Sequence, residues 1–160
     1  FRRVADSRPD AMLVFKYHNG DMAYRKSVLA LVDELGLSDS VRVVETIPYE
    51  RMPDLYSMAR VVVSVPFSDG TPMSLLEAMA CGAAVIASGT AGNRGWVAEG
   101  ATGLTFPVGD VPALGVCMRR ACQEDLAPLT RRARVTVERE ADWFANLSRL
   151  RRAMDQASRA

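Results

Sequence analysis

The sequence is poor in the residues from which metal and redox sites are built. It holds one histidine, His18, so no site resting on several imidazoles can form. Its three cysteines, Cys81, Cys117 and Cys122, contain no C-x-x-C pair. An odd, unpatterned set argues against a disulfide framework and fits a reducing, cytoplasmic setting. No apolar run reaches the roughly 18 residues that a spanning helix needs. Charge of one sign is also missing: the net charge is +1, so no global field points to nucleic acid. Lysine is confined to Lys16 and Lys26, and arginine supplies the other basic groups, which reads as a compositional bias. There is no initiator methionine; FRRVADSRPD reads as the interior of a longer chain.

What is present is ordinary for a globular protein. The chain has 160 residues, of which 49% are hydrophobic and 24% charged. That is enough for one domain with a real core, and residues 1–160 read as one unit. Short apolar runs alternate with helical periodicity. The runs Ala11–Phe15 and Ala83–Ala87 read as buried strands and Val41–Glu45 and Val61–Val65 as strands, with a short one at Gly103–Phe106. Between them, Tyr24–Leu35, Arg51–Arg60 and Pro72–Cys81 read as helices, and Arg94–Glu99 as one helical turn. Val111–Gln123 follows as a helix, then the Arg-rich terminal helices of residues 126–160. This alternation predicts an α/β fold, a Rossmann-like parallel sheet with helices on both faces.

The informative stretch is SDGTPMSLLEAMACG, Ser68–Gly82. In an open parallel sheet, ligands bind outside the carboxyl ends of the strands, and this loop leaves such an end. Thr71 suits an N-cap and Pro72 the first helical residue. The helix tip then offers unpaired N–H groups to an anion, with Gly70, Thr71 and Met73 as donors. Glu77 is the single charged residue between Thr71 and Ser88. A carboxylate on such a face needs donors. It can pair with Arg60 or Arg94, accept from loop N–H groups, or accept from two adjacent hydroxyls such as a ribose diol. Asp69 suits a turn or cap as well as a ligand contact.

These residues resemble the acidic-x7-acidic motif of retaining glycosyltransferases of the group 1 family, which carry two Rossmann-like domains in the GT-B arrangement. Asp69 and Glu77 hold the acidic positions, and LLEAMACG stands intact at Leu75–Gly82. AAVIAS (Ala83–Ser88) and GTAGNRGWVAEGATGLTFPVGD (Gly89–Asp110) resemble the family's next strand, glycine-rich loop, G-x-x-G-L turn and closing Asp. The resemblance covers roughly residues 5 to 125, and implies the C-terminal, donor-binding half of a GT-B fold without its first strand, which is normally central. Residue 1 would fall in the first helix. The implied reaction is transfer of a hexose from a nucleoside diphosphate to an acceptor hydroxyl, with retention. No metal and no further cofactor are implied, in keeping with the absence of D-x-D.

The resemblance also implies roles. Glu77 would bind the ribose hydroxyls, and Asp69 would act at the donor sugar as the catalytic residue. Gly70, Thr71, Met73 and Leu76 would approach the sugar and diphosphate, and Ile47 would line the base site. His18, Gly20 and Arg94 are expected as minor contacts. The expected partners are a nucleotide-sugar and a glycan, lipid or small-molecule acceptor held mainly by an N-terminal domain absent from this chain, which alone would not complete the reaction. Departures from the pattern are Arg60 where an Asp is common, Gly95 where an acid is often seen, and Asp rather than Glu at position 69.

Other features are weighed beside this. A non-catalytic nucleotide-sugar-binding module of the same fold is the alternative. Gly89, Gly92 and Gly95 give G-x-x-G-x-x-G, which is not the dinucleotide fingerprint, so an NAD-dependent oxidoreductase is disfavoured. The Arg131, Arg132, Arg134, Arg139, Arg149, Arg151 and Arg152 set reads as a solvated helix face. Its sharper reading, with Trp143 and Phe144, is a weak peripheral contact with an anionic membrane at its inner face.

Overall fold

Strand β4 (Ala84–Ser88) is the centre of the molecule, and all five of its residues are buried. Its side chains alternate between the two faces of the sheet, as a strand's period of two requires. Val85 and Ala87 join a cluster with Met52, Tyr56, Leu75, Met79, Ala133 and Val137. Ala84 and Ile86 join the other, with Leu104, Phe106, Cys117, Ala121 and Leu126. Helices therefore cover both faces, and β4 reads as a continuous apolar run because both of its faces are dry.

The computed structural model describes residues 1–17 and 21–158. The remaining elements are α1 (Arg2–Ser7), β1 (Leu13–Lys16), α2 (Met22–Glu34), β2 (Val41–Val44), α3 (Met52–Met58), β3 (Val61–Ser64), α4 (Met73–Ala80) and α5 (Ala91–Arg94), followed by β5 (Leu104–Phe106), α6 (Val111–Gln123), α7 (Ala127–Glu140) and α8 (Trp143–Ala157). A 3-10 turn, Tyr49–Arg51, leads into α3. All strand pairing is parallel: Leu13 lies opposite Val41, Val61 opposite Ala84, and Ile86 opposite Leu104. The element order follows the sequence reading, and the fold is the expected α/β class.

The structure corrects several details. One-turn α5 sits at Ala91–Arg94, ahead of the expected Arg94–Glu99, because Thr90 caps it there: its hydroxyl accepts from the Asn93 N–H at 3.2 Å. The sheet is not continuous. Among the described residues it forms two pieces, β1–β2 and β3–β4–β5, which agrees with, rather than corrects, the expectation of a sheet without its central first strand. Strand β1 was expected to be buried, yet Val14 is 42% and Phe15 36% exposed. The cause is missing cover, since α2 buries none of its residues against the sheet. Thr71 does not cap α4 either: Pro72 is the N-cap, with ψ at 78°, which delays the helix to Met73.

The Arg-rich helices differ from one another. Helix α7 packs on α4 and β4 through Ala133 and Val137, one turn apart. Helix α8 buries nothing, and Trp143 and Phe144 are 70% and 77% exposed. No described helix is long and apolar enough to cross a membrane.

Candidate functional site

The loop after β3 and the loop after β4 are fastened together by buried polar bonds. The Ser88 hydroxyl donates to the Pro66 carbonyl at 2.7 Å, and the Asn93 amide donates to the Ser88 carbonyl at 2.8 Å. Asn93 is fully buried, and its Oδ1 has no protein partner among the described residues. A third contact is steric. A Cβ on Gly92 would stand 1.9 Å from the Gly70 carbonyl oxygen and 2.5 Å from that of Asp69. Only a residue without a side chain lets α5 press against the acidic loop. Nothing in the G-x-x-G-x-x-G spacing singled out Gly92, and Asn93 carried no motif of its own.

Asp69 sits half-buried in this braced loop, and its carboxylate has no hydrogen-bond or ion-pair partner among the described residues. Helix α4 begins just beyond. Its first donors are distributed unevenly. The Met73 N–H turns back to the Thr71 carbonyl at 2.9 Å, and those of Leu75 and Leu76 both go to Pro72. Among the described residues, the N–H groups of Gly70, Thr71 and Ser74 are left without a protein acceptor. With the partial positive charge of the helix end, they can receive an anion. Ser74 thus takes the place expected of Met73. The Met73 side chain is 61% exposed and remains available for contact. Leu76 is 5% exposed and packs in the core, so it presents nothing directly to a ligand.

Glu77 lies on the second turn of α4, half-buried. Neither arginine reaches it. Arg60 instead donates to the Ala121 carbonyl at 2.8 Å and the Glu124 carbonyl at 3.1 Å, at the carboxyl end of α6, where a cation is favoured. The partners of Glu77 are two phenols. Tyr49 donates to Oε1 at 3.0 Å and Tyr56 to Oε2 at 3.2 Å. Tyr56 is 7% exposed, and burial together with the neighbouring carboxylate raises its pKa well above the ordinary phenol value. The hydrogen bond to Glu77 also raises that of Tyr49. Both therefore stay protonated donors at neutral pH, and Glu77 is held by neutral groups rather than by a cation. The tyrosines were not anticipated. The signal was faint: Tyr56 lies on the apolar face of a short helix, and Tyr49 directly follows a proline.

Ile47 packs against the core cluster beside this site and lines a shallow depression of about 310 Å³ with Pro48, Leu55 and Met58. A second depression, about 550 Å³, runs along α2 at Met22, Arg25 and Leu29. Neither is lined by Asp69 or Glu77. Arg94 ends α5 with its side chain exposed. His18 and Gly20 lie outside the described residues. Among the described residues no three His, Cys, Asp or Glu side chains converge.

The parallel α/β sheet with helices on both faces matches the C-terminal domains of GT-B glycosyltransferases. More specifically, the chain belongs to the glycosyl transferases group 1 family, whose model matches residues 1–135. It is similar to the D-inositol 3-phosphate glycosyltransferase of Kribbella flavida, with 34% identity over 86 residues, 54% of this chain and 20% of that protein. Its structure is similar to sucrose-phosphate synthase from Thermosynechococcus elongatus, with a TM-score of 0.85 and 28% identity, over 98% of this chain and 41% of that one. The Anabaena HepE protein in complex with UDP-glucose has the same fold, with a TM-score of 0.86 and 18% identity over 96% of this chain and 43% of its own. The chain thus spans about a fifth of the length of that curated relative.

Proposed function

We propose that this chain is the donor-binding half of a retaining glycosyltransferase, moving a hexose from a nucleoside diphosphate to an acceptor hydroxyl. The observation that carries the reading is Glu77: a carboxylate on α4, held by neutral hydroxyl donors instead of an arginine. A carboxylate held by neutral phenols keeps its negative charge uncompensated, and a phenol on it can give way to another hydroxyl donor. The vicinal hydroxyls of a ribose fit that chemistry. The N–H groups of Gly70, Thr71 and Ser74 then lie at the helix tip, where a diphosphate would be stabilised.

Asp69 takes the role of orienting the sugar at its reacting carbon. In the transfer, the bond from the anomeric carbon to the diphosphate oxygen breaks. A bond to the acceptor oxygen forms on the same face, and the acceptor's proton passes to the departing phosphate. The negative charge that develops on the leaving group falls to the α4 tip and to cationic side chains such as Arg94, on the helix whose Gly92 abuts the Asp69–Gly70 loop. No protein-bound metal is required by this scheme. The acceptor would be held mainly by residues outside this chain.

The test is calorimetric titration of the full-length protein with UDP-, GDP- and ADP-sugars, with NAD as control. Binding of a nucleotide-sugar and not of NAD is expected. Glu77→Gln should weaken that binding by about 1–3 kcal/mol, the scale of a hydrogen bond to a charged group. Unchanged affinity in Glu77→Gln would remove the ribose role, and binding of NAD alone would remove the proposal.

A further inference from the structure

The two phenols on Glu77 are not equivalent. Tyr56 is embedded in the core cluster between α3 and α4, so its bond to Oε2 is a fixed part of the fold. Tyr49 is 71% exposed, at the first residue of a three-residue 3-10 turn. Its one hydrogen bond from the side chain, among the described residues, crosses to Glu77 Oε1 from a position 28 residues away. An exposed aromatic residue can rotate about its side-chain torsions at little cost in packing. Tyr49 can therefore leave Oε1 without disturbing the core, and Tyr56 cannot leave Oε2.

From this difference, and resting on the reading of Glu77 as the ribose carboxylate, we propose that Tyr49 is a displaceable cap that sets donor affinity. In the free protein its phenol occupies the carboxylate oxygen that a ligand hydroxyl must take. On binding, an O–H···O⁻ bond from the protein is exchanged for one from the ribose, and the phenol turns to water. The exchange at Oε1 is close to neutral, so one of the two ribose bonds contributes little net affinity. What the cap supplies is a satisfied, correctly aimed carboxylate before the ligand arrives. Its cost is weaker binding and faster release of the nucleotide. Ile47, two residues before Tyr49, places this device beside the expected base site.

The experiment compares wild type, Tyr49→Phe and Glu77→Gln in the full-length protein, titrated with UDP, GDP and ADP by calorimetry. Phenylalanine keeps the ring and removes the competing donor. Tyr49→Phe should bind whichever diphosphate the wild type prefers about three- to tenfold more tightly, the equilibrium worth of one such hydrogen bond. Thermal stability should be unchanged, because the residue is exposed. In wild-type protein carrying labelled tyrosine, the Tyr49 ring resonance, assigned by its loss in Tyr49→Phe, should shift on nucleotide addition while that of Tyr56 holds. Affinity in Tyr49→Phe equal to or weaker than wild type, with Glu77→Gln impaired, would overturn the cap and leave the ribose reading standing. No nucleotide binding by the wild type, or no loss in Glu77→Gln, would overturn both.

Discussion

Glu77 shows how a single residue can stand out in a sequence while its partners stay open. Its isolation in the apolar stretch Thr71–Ser88 marks it as a group that must find donors. Chain position alone left arginines among the candidates, and the structure supplies tyrosines instead. The other acidic residue behaves differently. Asp69 has no hydrogen-bond partner among the described residues, so removing it leaves no donor stranded. Asp69→Ala should therefore fold with near wild-type stability, within about 0.5 kcal/mol, the range for a surface change of this kind. Turnover measured in the full-length protein should fall at least about a hundredfold, the lower end for loss of a charge-stabilising group. Retained turnover would take Asp69 out of the chemistry.

Among the elements, α4 and α5 divide the work. Helix α4 carries Glu77 outward while Leu75 and Met79 anchor its other side in the core. Helix α5 is a single turn, too short to hold itself. It is fixed by the Thr90 cap and the Asn93 bond to Ser88, and its Gly92 presses on the loop that holds Asp69. Two glycines of the same motif make a matched test. At Gly92 an added Cβ meets backbone at 1.9 Å, whereas at Gly95 its nearest neighbour is the Gly92 oxygen at 3.5 Å, an ordinary contact. Gly92→Ala should displace the Asp69–Gly70 loop, costing about 1–3 kcal/mol of stability, as overpacking does, and weakening nucleotide binding with it. Gly95→Ala should change stability by no more than about 0.5 kcal/mol. Denaturant melts and calorimetry on the two variants would show the difference; equal behaviour would refute the bracing role. Gly103 follows the same steric logic within the core, where a Cβ would stand 2.7 Å from Val85 and Val97.

Across the whole molecule, the two pieces of sheet differ in cover. Strand β4 is dry on both faces, while β1 presents Val14 and Phe15 to solvent and α2 buries nothing. Local opening is easiest where few apolar contacts oppose it. Amide hydrogen exchange in this chain should therefore show lower protection in β1, α2 and β2 than in β3, β4 and β5, with the highest in β4. Equal protection across the two pieces would mean that they unfold as one unit.

Much of this was legible in the residues. The types and order of the elements follow from local periodicity and helix-start residues, such as Pro112 in the first turn of α6. The acid–helix–acid spacing of Asp69 and Glu77 also lies within one short stretch. These features are local, and a chain states its local preferences within a few residues of where they act. The partners were another matter. Tyr49 and Tyr56 reach Glu77 from 28 and 21 residues upstream, and Gly92 meets Gly70 only because β4 lies beside β3. Burial of β1 depended on what covers it, which an apolar run does not disclose. The sequence by itself determined the strand–helix alternation and the acidic pair. Only the tertiary structure decided which groups hold Glu77 and what braces Asp69, because those contacts are made by strand order in space rather than by neighbours along the chain.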